Sequence, residues 1–476
     1  MAVLVVTPFD SVFDSPKAAQ GLLVPGEGAT VTAANALASL LHGKMGNAVL
    51  NGGRPGGKPK ITLARHAART TFYVSLPPLE QTHNVVRYPI AVVGPGYHGL
   101  LTSTSTRLDG LISIADVAPS VLALEHGDRP RIRSTPSADP LRELRTLDRR
   151  LTEAHDSRLG ATIVLVGLMS VFGLLALVSR WPVLGRAAFL AAPACLVAAV
   201  ALSAAGLTDP SQVVIVLAGT AGVLALAGGA SLRPRLPLVV GLAAVFAFLF
   251  AVMWKRPEWN SLAALGPRPD GGGRFYGVTN QVETLLLAPA LVLGALAGTA
   301  LPAVALLVAA GIAASSVGAD GGGLVVYLAG YLVLALRLGA ARPGFARAAA
   351  ATGVAAATAL ALVGIDAATG GSSHVTHAVG GGPGSLAGDL GHRLHLSWAS
   401  ITSTWNAALL FAAGVAALVW LALRRPRRAI LDALLVALAV SLLVNDTPTD
   451  VAGLGALSAL VLWAWWRSGE RLRGLD

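Results

Sequence analysis

Ala161-Thr-Ile-Val-Leu-Val-Gly-Leu-Met-Ser-Val-Phe-Gly-Leu-Leu-Ala-Leu-Val-Ser179 carries no charge, and Arg180 follows it at once. A helix of this length reaches about 28 Å at 1.5 Å per residue, close to the roughly 30 Å core of a bilayer. In lipid its backbone must satisfy its own polar groups, so the stretch reads as a membrane-spanning helix. Ten further apolar blocks follow at 187–206, 212–230, 237–254, 282–300, 302–317, 323–338, 348–365, 403–423, 429–444 and 451–466. The expectation is a polytopic α-helical membrane protein of about eleven transmembrane helices. Blocks 302–317 and 429–444 are the weakest of these.

Composition points the same way. Hydrophobic residues make up 54% and charged residues 13% of the chain, against about a quarter charged in soluble domains. The apolar residues are largely Ala, Leu, Val and Gly, and small side chains let helices approach closely in lipid. A net charge of +11 could suggest a nucleic-acid partner. The basic residues, however, are mostly Arg in short gaps between blocks, which is a topology signal and not a binding stripe. The one cysteine, Cys195, lies inside an apolar block, which excludes a disulfide framework and a cysteine-based metal site. No G-x-x-x-x-G-K-[ST] motif occurs, so the chain is not a P-loop ATPase. Ionisable residues are nearly absent from the blocks, which argues against an ion-driven pump.

The gaps give the orientation. One alternating set holds Arg180, Arg186, Arg233, Arg235, Arg337, Arg342, Arg347, Arg424, Arg425, Arg427, Arg428, Arg467, Arg471 and Arg473. The other holds Lys255, Arg256, Arg268, Arg274 and Arg393. Fourteen against five, with no conflict of phase, assigns the first set to the cytoplasm. The C-terminal tail 467–476 is then cytoplasmic and residues 1–141 are outside. Met1–Asp10 is no signal peptide. Export therefore implies either that the first span acts as a reverse anchor or that a segment precedes Met1. The second is the expectation, because Ala2–Thr7 reads as a core strand entered midway.

Residues 1–141 differ in kind from the rest. Short β-type runs (Val3–Thr7, Thr71–Ser75, Ile90–Val93) alternate with helix-like stretches (Ala33–His42, Ala115–Leu124), which predicts an N-terminal extracytoplasmic α/β domain. A charged juxtamembrane linker, 142–160, leads to the first span.

Within this domain, three stretches run in succession: His83-Asn-Val-Val-Arg-Tyr-Pro89-Ile-Ala-Val-Val-Gly-Pro-Gly96, Gly99-Leu-Leu-Thr-Ser-Thr-Ser-Thr-Arg107, and Gly110-Leu-Ile-Ser-Ile-Ala-Asp116-Val-Ala-Pro119-Ser-Val-Leu-Ala-Leu124. Together they resemble the C-terminal part of the alkaline phosphatase superfamily, which includes phosphoglycerate mutases, phosphopentomutases and sulfatases. The chain is also similar to actinobacterial membrane proteins that join such a domain to a polytopic half. The resemblance implies a metal-ligand role for His83 and a helix-start motif at Asp116 and Pro119. The family's Asp-His-Gly is missing after Thr71–Ser75, where Leu76-Pro-Pro-Leu-Glu80 stands. Val6-Thr7-Pro8-Phe9 replaces its first Asp-Gly pair, and no nucleophile follows. A two-metal centre needs several carboxylates and imidazoles, so the resemblance implies a degenerate, non-catalytic relative. Read on their own, His83 is a loop histidine, Thr102–Thr106 a solvated polar loop, and Asp116 a helix cap.

The membrane half keeps its polar motifs on the same outer side. Gly271-Gly-Gly-Arg-Phe-Tyr-Gly-Val-Thr-Asn-Gln-Val-Glu283 precedes a span. Asn280-x-x-Glu283 fits a capping box. The alternative is a rim in which Arg274, Tyr276 and Asn280 bind an anionic head group or lipid-linked phosphate. Asp320 and the turn Asn445–Asp450 read as acidic residues facing water, or, if several converge, as a cation or proton site. The pairs His374/His377 and His392/His395 have i,i+3 spacing in a glycine-rich loop. They read as a polar surface loop, with a divalent metal (Zn²⁺ or Mn²⁺) or a pH response as alternatives.

The expectation is therefore a multi-pass protein of the bacterial plasma membrane. It handles or presents a phosphate-bearing lipid or glycan in cell-envelope assembly without catalysis, with membrane lipids and envelope components as partners. One alternative is a membrane-embedded glycan or lipid transferase or ligase whose chemistry is carried by Arg274, Glu283 and Asp320. The other is a transporter of a small or lipidic solute.

Overall fold

The structure, a computed structural model, describes residues 1–26, 31–44, 57–78, 86–232, 235–271, 274–339, 345–368, 397–425 and 428–469. The N-terminal part forms a seven-stranded mixed sheet. Its strands are β1 (Ala2–Val5), β2 (Ala19–Val24), β3 (Thr71–Val74), β4 (Tyr88–Val93), β5 (Gly99–Ser103), β6 (Leu111–Ser113) and β7 (Ile132–Thr135). Their order is β1-β3-β4-β2-β5-β7, with β6 also paired to β2. Strands β1 and β3 are parallel, β3 and β4 antiparallel, and β4 and β2 antiparallel. Helices α1 (Ala33–His42) and α2 (Val117–His126) cover the sheet. The core between them includes Leu23, Leu40, Phe72, Ile90, Leu101, Ile112 and Val117. Strands β1, β3 and β4 are the three that the sequence located as short β-type runs.

Helix α3 (Pro140–Ser179) begins under this sheet and runs 40 residues without a break, about 60 Å at 1.5 Å per residue. Asp139 caps it through Arg142 N, and Pro140 occupies its first turn. The charged run 142–160 is thus helical and continuous with the first apolar block. The bundle then comprises α4 (Pro182–Ala204), α5 (Pro210–Ser231), α6 (Arg235–Lys255), the short α7 (Pro257–Ser261), α8 (Asn280–Ala297), α9 (Leu301–Ala313), α10 (Gly321–Leu338), α11 (Phe345–Ala368), α12 (Trp405–Leu423), α13 (Ala429–Val444) and α14 (Pro448–Arg467). Each of the eleven apolar blocks is helical over most of its length. Among the described residues, eight helical runs are long and apolar enough to cross a membrane. One of these is the continuous stretch Asn280–Ala313, and Thr352–Asp366 and Ala429–Val444 are apolar but shorter. The chain is a helical membrane protein by these criteria.

Successive helices run up and down, so the bundle has two distinct ends. Arg150 donates to Ser203 O, and Arg107 to Trp254 O, which places the tops of α4 and α6 beside the N-terminal domain. At Gly298 (φ +64°) the chain turns, and α9 climbs back until Val278 N donates to Gly318 O. The far end carries Arg180, Arg186, Arg235, Arg337, Arg424, Arg428 and Arg467. There Arg235 holds Leu296 O, and Arg337 pairs with Asp432 at 3.1 Å.

The domain sits directly on the bundle. Arg87, at the start of β4, pairs with Asp148 at 2.7 Å and donates to Thr152, both on α3. An apolar seam of Val24, Leu108, Leu111, Leu151, Leu262 and Phe275 joins sheet, long helix and the loop before α8. Leu151 is 1% exposed. Leu151→Ala is expected to cost about 2–5 kcal/mol and to loosen the domain from the bundle. Limited proteolysis and thermal unfolding of the purified chain check this, and an unchanged melting temperature with unchanged cleavage contradicts it.

Candidate functional site

The segment Arg274–Glu283 lies at the top of the bundle, beneath the N-terminal domain, and three neighbouring segments hold it. Asn260 Nδ2 donates to Gly277 O at 2.9 Å, and Ser261 Oγ to Phe275 O at 2.7 Å. Tyr276 OH donates to Ser315 O at 2.9 Å. Gly277 has φ +87°, and a Cβ there would stand 2.2 Å from Gly318 O, so only glycine lets these backbones meet. Asn280 Nδ2 reaches Asp446 Oδ1 at 2.8 Å and Thr447 Oγ1 at 3.0 Å, crossing to the turn before α14. Asn280 therefore acts as a tie between segments.

Beneath this segment lies a buried polar cluster. The carboxylate of Glu283 is fully buried. It accepts from Asn445 Nδ2 at 2.9 Å, and Ser441 Oγ stands 3.4 Å away on α13. Asn445 also donates to Ser441 Oγ at 2.8 Å. Asp320, 2% exposed, adjoins Glu283 and pairs with Arg274 Nη2 at 3.5 Å. Arg274 also donates to Val278 O. The three residues proposed from sequence for chemistry, Arg274, Glu283 and Asp320, are thus one contiguous group.

Two expectations are corrected here. Glu283 does not belong to a capping box: Thr279 caps α8 by accepting from Val282 N, which places Glu283 one position too far along. Its side chain turns inward instead, to Asn445. Asp320 does not face water. It precedes α10 without capping it, and is buried against Gly323 and the Arg274 guanidinium.

Arg107 is the element that sequence reasoning missed. It ends the Ser/Thr turn after β5 with φ +54°, a left-handed conformation uncommon for a long side chain. Its guanidinium donates to Ser316 O at 2.6 Å and Trp254 O at 3.1 Å, and lies 4.8 Å from the Tyr276 ring centroid. Burial holds the Tyr276 phenol above its ordinary pKa, against the opposing pull of Arg107 and then Arg274. The turn is fixed from behind by Asp116. That buried carboxylate accepts from Ser103 Oγ at 2.6 Å and from Ser105 Oγ, with Arg131 at 3.6 Å. Asp116 stands at the start of α2 but makes no side-chain cap bond, so the expected capping role gives way to a turn-holding one. Thr102 and Ser103 belong to β5 rather than to a free loop. Pro119 lies in the first turn of α2, as expected.

A second junction ties α3 to the same loop. Asp270, buried, accepts from His155 Nδ1 at 2.6 Å and pairs with Arg158 at 3.1 Å. His83, His374, His377, His392 and His395 lie outside the described residues. Among the described residues no group of three or more His, Cys, Asp or Glu could hold a metal ion.

Chemically, the cluster joins one guanidinium and two carboxyls to neutral donors. Arg274 balances Asp320, and Glu283 is held by Asp320, Asn445 and Ser441. Asn445→Ala is expected to destabilise the chain by about 1–3 kcal/mol, since it removes a donor from a buried carboxyl. In a Glu283→Gln background the same change should cost clearly less. Equal costs in both backgrounds, measured by thermal unfolding in detergent, would refute the coupling. Comparison with protein-family models, with curated proteins and with solved structures finds no match for this chain.

Proposed function

We propose that this chain is an eleven-span protein of the bacterial plasma membrane, with its N-terminal domain outside and its C-terminus in the cytoplasm. In this reading it handles or presents a phosphate-bearing lipid or glycan during envelope assembly, and the N-terminal domain, a degenerate relative of the alkaline phosphatase superfamily, recognises rather than reacts. The orientation rests on the arginine-rich gaps, which coincide with the bundle end remote from the domain.

The observation that carries the functional reading is the placement of Arg107. Its partners are two carbonyls and an aromatic ring, none of which cancels its charge. It therefore adds a positive charge to the rim that already holds Arg274 and Tyr276. Lys255 lies 3.6 Å over the Trp254 ring beside it, and Trp254 is 53% exposed. Cations interleaved with tryptophan at a bilayer boundary are suited to lipid phosphate, because the rings sit at head-group depth and the guanidinium offers paired donors. The deep burial of Glu283 and Asp320 supports a structural rather than a reacting role for them.

A transferase remains the second reading, favoured by the meeting of Arg274, Asp320 and Glu283 at one spot. The two readings separate by mutation. Under the leading one, Arg107→Ala and Arg274→Ala each weaken binding of a polyprenyl phosphate by about tenfold, the loss of one charge-assisted contact. Glu283→Gln, if it folds, leaves that binding and the envelope phenotype intact. Full loss of the phenotype in a folded Glu283→Gln variant, with binding retained, would replace this reading by the transferase.

A further inference from the structure

At the bundle end remote from the N-terminal domain, α12 and α14 converge side by side. Gly414 makes this possible: a Cβ there would stand 2.6 Å from the Ala452 backbone, so only a bare backbone fits. Two turns further on, Trp420 of α12 meets Trp463 of α14 edge to face at 5.3 Å. Each ring carries an arginine. The Arg424 guanidinium lies 4.2 Å from the Trp420 centroid, and that of Arg467 lies 5.8 Å from the Trp463 centroid. Arg428 lies 4.8 Å over Trp466 on the same side, and Arg425 is exposed next to Arg424.

Three features of this ladder point to one class of partner. First, no ion pair engages Arg424, Arg425 or Arg467 among the described residues. The neighbouring acid, Asp432, is taken by Arg337. Second, a cation–π contact consumes no carboxylate, so these guanidinium groups keep their charge for phosphate oxygens, which their paired donors can grip. Third, the outer face of α12 leading up to the ladder is apolar and uncovered: Val419 is 52% and Leu423 76% exposed. A cationic fork directly above a bare hydrocarbon-facing surface matches an amphiphile whose anionic head and acyl chains both need a seat. We propose that the Arg424/Arg425/Arg467 ladder on Trp420 and Trp463 binds the head group of an anionic phospholipid of the leaflet facing away from the N-terminal domain. This site is separate from the Arg107/Arg274 rim and does not depend on the function proposed for it.

The test uses the full chain in nanodiscs of phosphatidylcholine alone or with phosphatidylglycerol. Phosphatidylglycerol is expected to raise the thermal midpoint of the wild-type chain. The triple variant R424Q/R425Q/R467Q should lose most of that rise and bind phosphatidylglycerol about a hundredfold more weakly, the product of three surface cations. R180Q, which removes a cation from the same end but off the ladder, should keep the full response. The triple variant's midpoint in phosphatidylcholine alone reports its folding. If that midpoint falls, R424K/R425K/R467K serves instead, and it should keep the charge but lose part of the response through loss of the fork. A response retained in full by both triple variants, an equal loss in R180Q, or a wild-type shift reproduced by inorganic phosphate would overturn the proposal.

Discussion

The guanidinium of Arg107 closes the N-terminal domain onto the membrane bundle, and the arrangement of both halves depends on that contact. A 40-residue helix alone would leave the domain free to swing about its first turn. Arg107, held to the Ser316 and Trp254 carbonyls and over Tyr276, supplies a second fixed point. Arg87 on Asp148 and Thr152, with the apolar seam around Leu151, supplies the first. Two anchors on different elements fix an orientation where one would fix only a position. The Asp116 carboxylate stiffens the turn that carries Arg107, so a buried group in the sheet domain contributes to the seating of the bundle.

The bundle accepts this docking because its upper end is polar inside as well as outside. Glu283 on α8, Ser441 and Asn445 at the end of α13, and Asp320 before α10 meet in one buried polar cluster, while Asn280 ties α8 to Asp446 and Thr447. Such networks are costly when half made and rigid when complete. The lower end is organised differently. Its arginines lie over tryptophans, pair with one acid or donate to helix-end carbonyls, and its apolar surface stays open toward lipid. One end is thus built for contact within the chain, the other for contact with the bilayer.

Much of this architecture was legible from residue order. The apolar blocks became helices because nothing within them offers lipid-exposed backbone an alternative partner. The strands at Thr71–Val74 and Tyr88–Val93 showed as β-branched and aromatic runs. Strand β7, Ile132–Thr135, was hidden by its arginine and its half-exposed edge position. Local spacing misled at Glu283: a Glu three residues beyond Asn280 resembles a capping box, but Thr279 has the better-placed hydroxyl, and a donor 162 residues later claimed the carboxylate. Asn445 was noticed only as part of an acidic turn. Arg107 gave no signal at all, since its role comes from a left-handed backbone and from partners 147 and 209 residues away.

Sidedness is the claim on which the functional account turns, since it places the docked domain, Arg107 and Arg274 in one aqueous space and the tryptophan-backed arginines in the other. Cys195 is buried and is the chain's sole cysteine, so replacing it with alanine leaves a clean background for single introduced thiols. Thr104→Cys, on the exposed turn before Arg107, and Arg425→Cys would be probed with a membrane-impermeant maleimide on intact cells and after permeabilisation. Labelling of position 104 in intact cells, with position 425 reactive only after permeabilisation, is the predicted result; equal labelling of both in intact cells would contradict it.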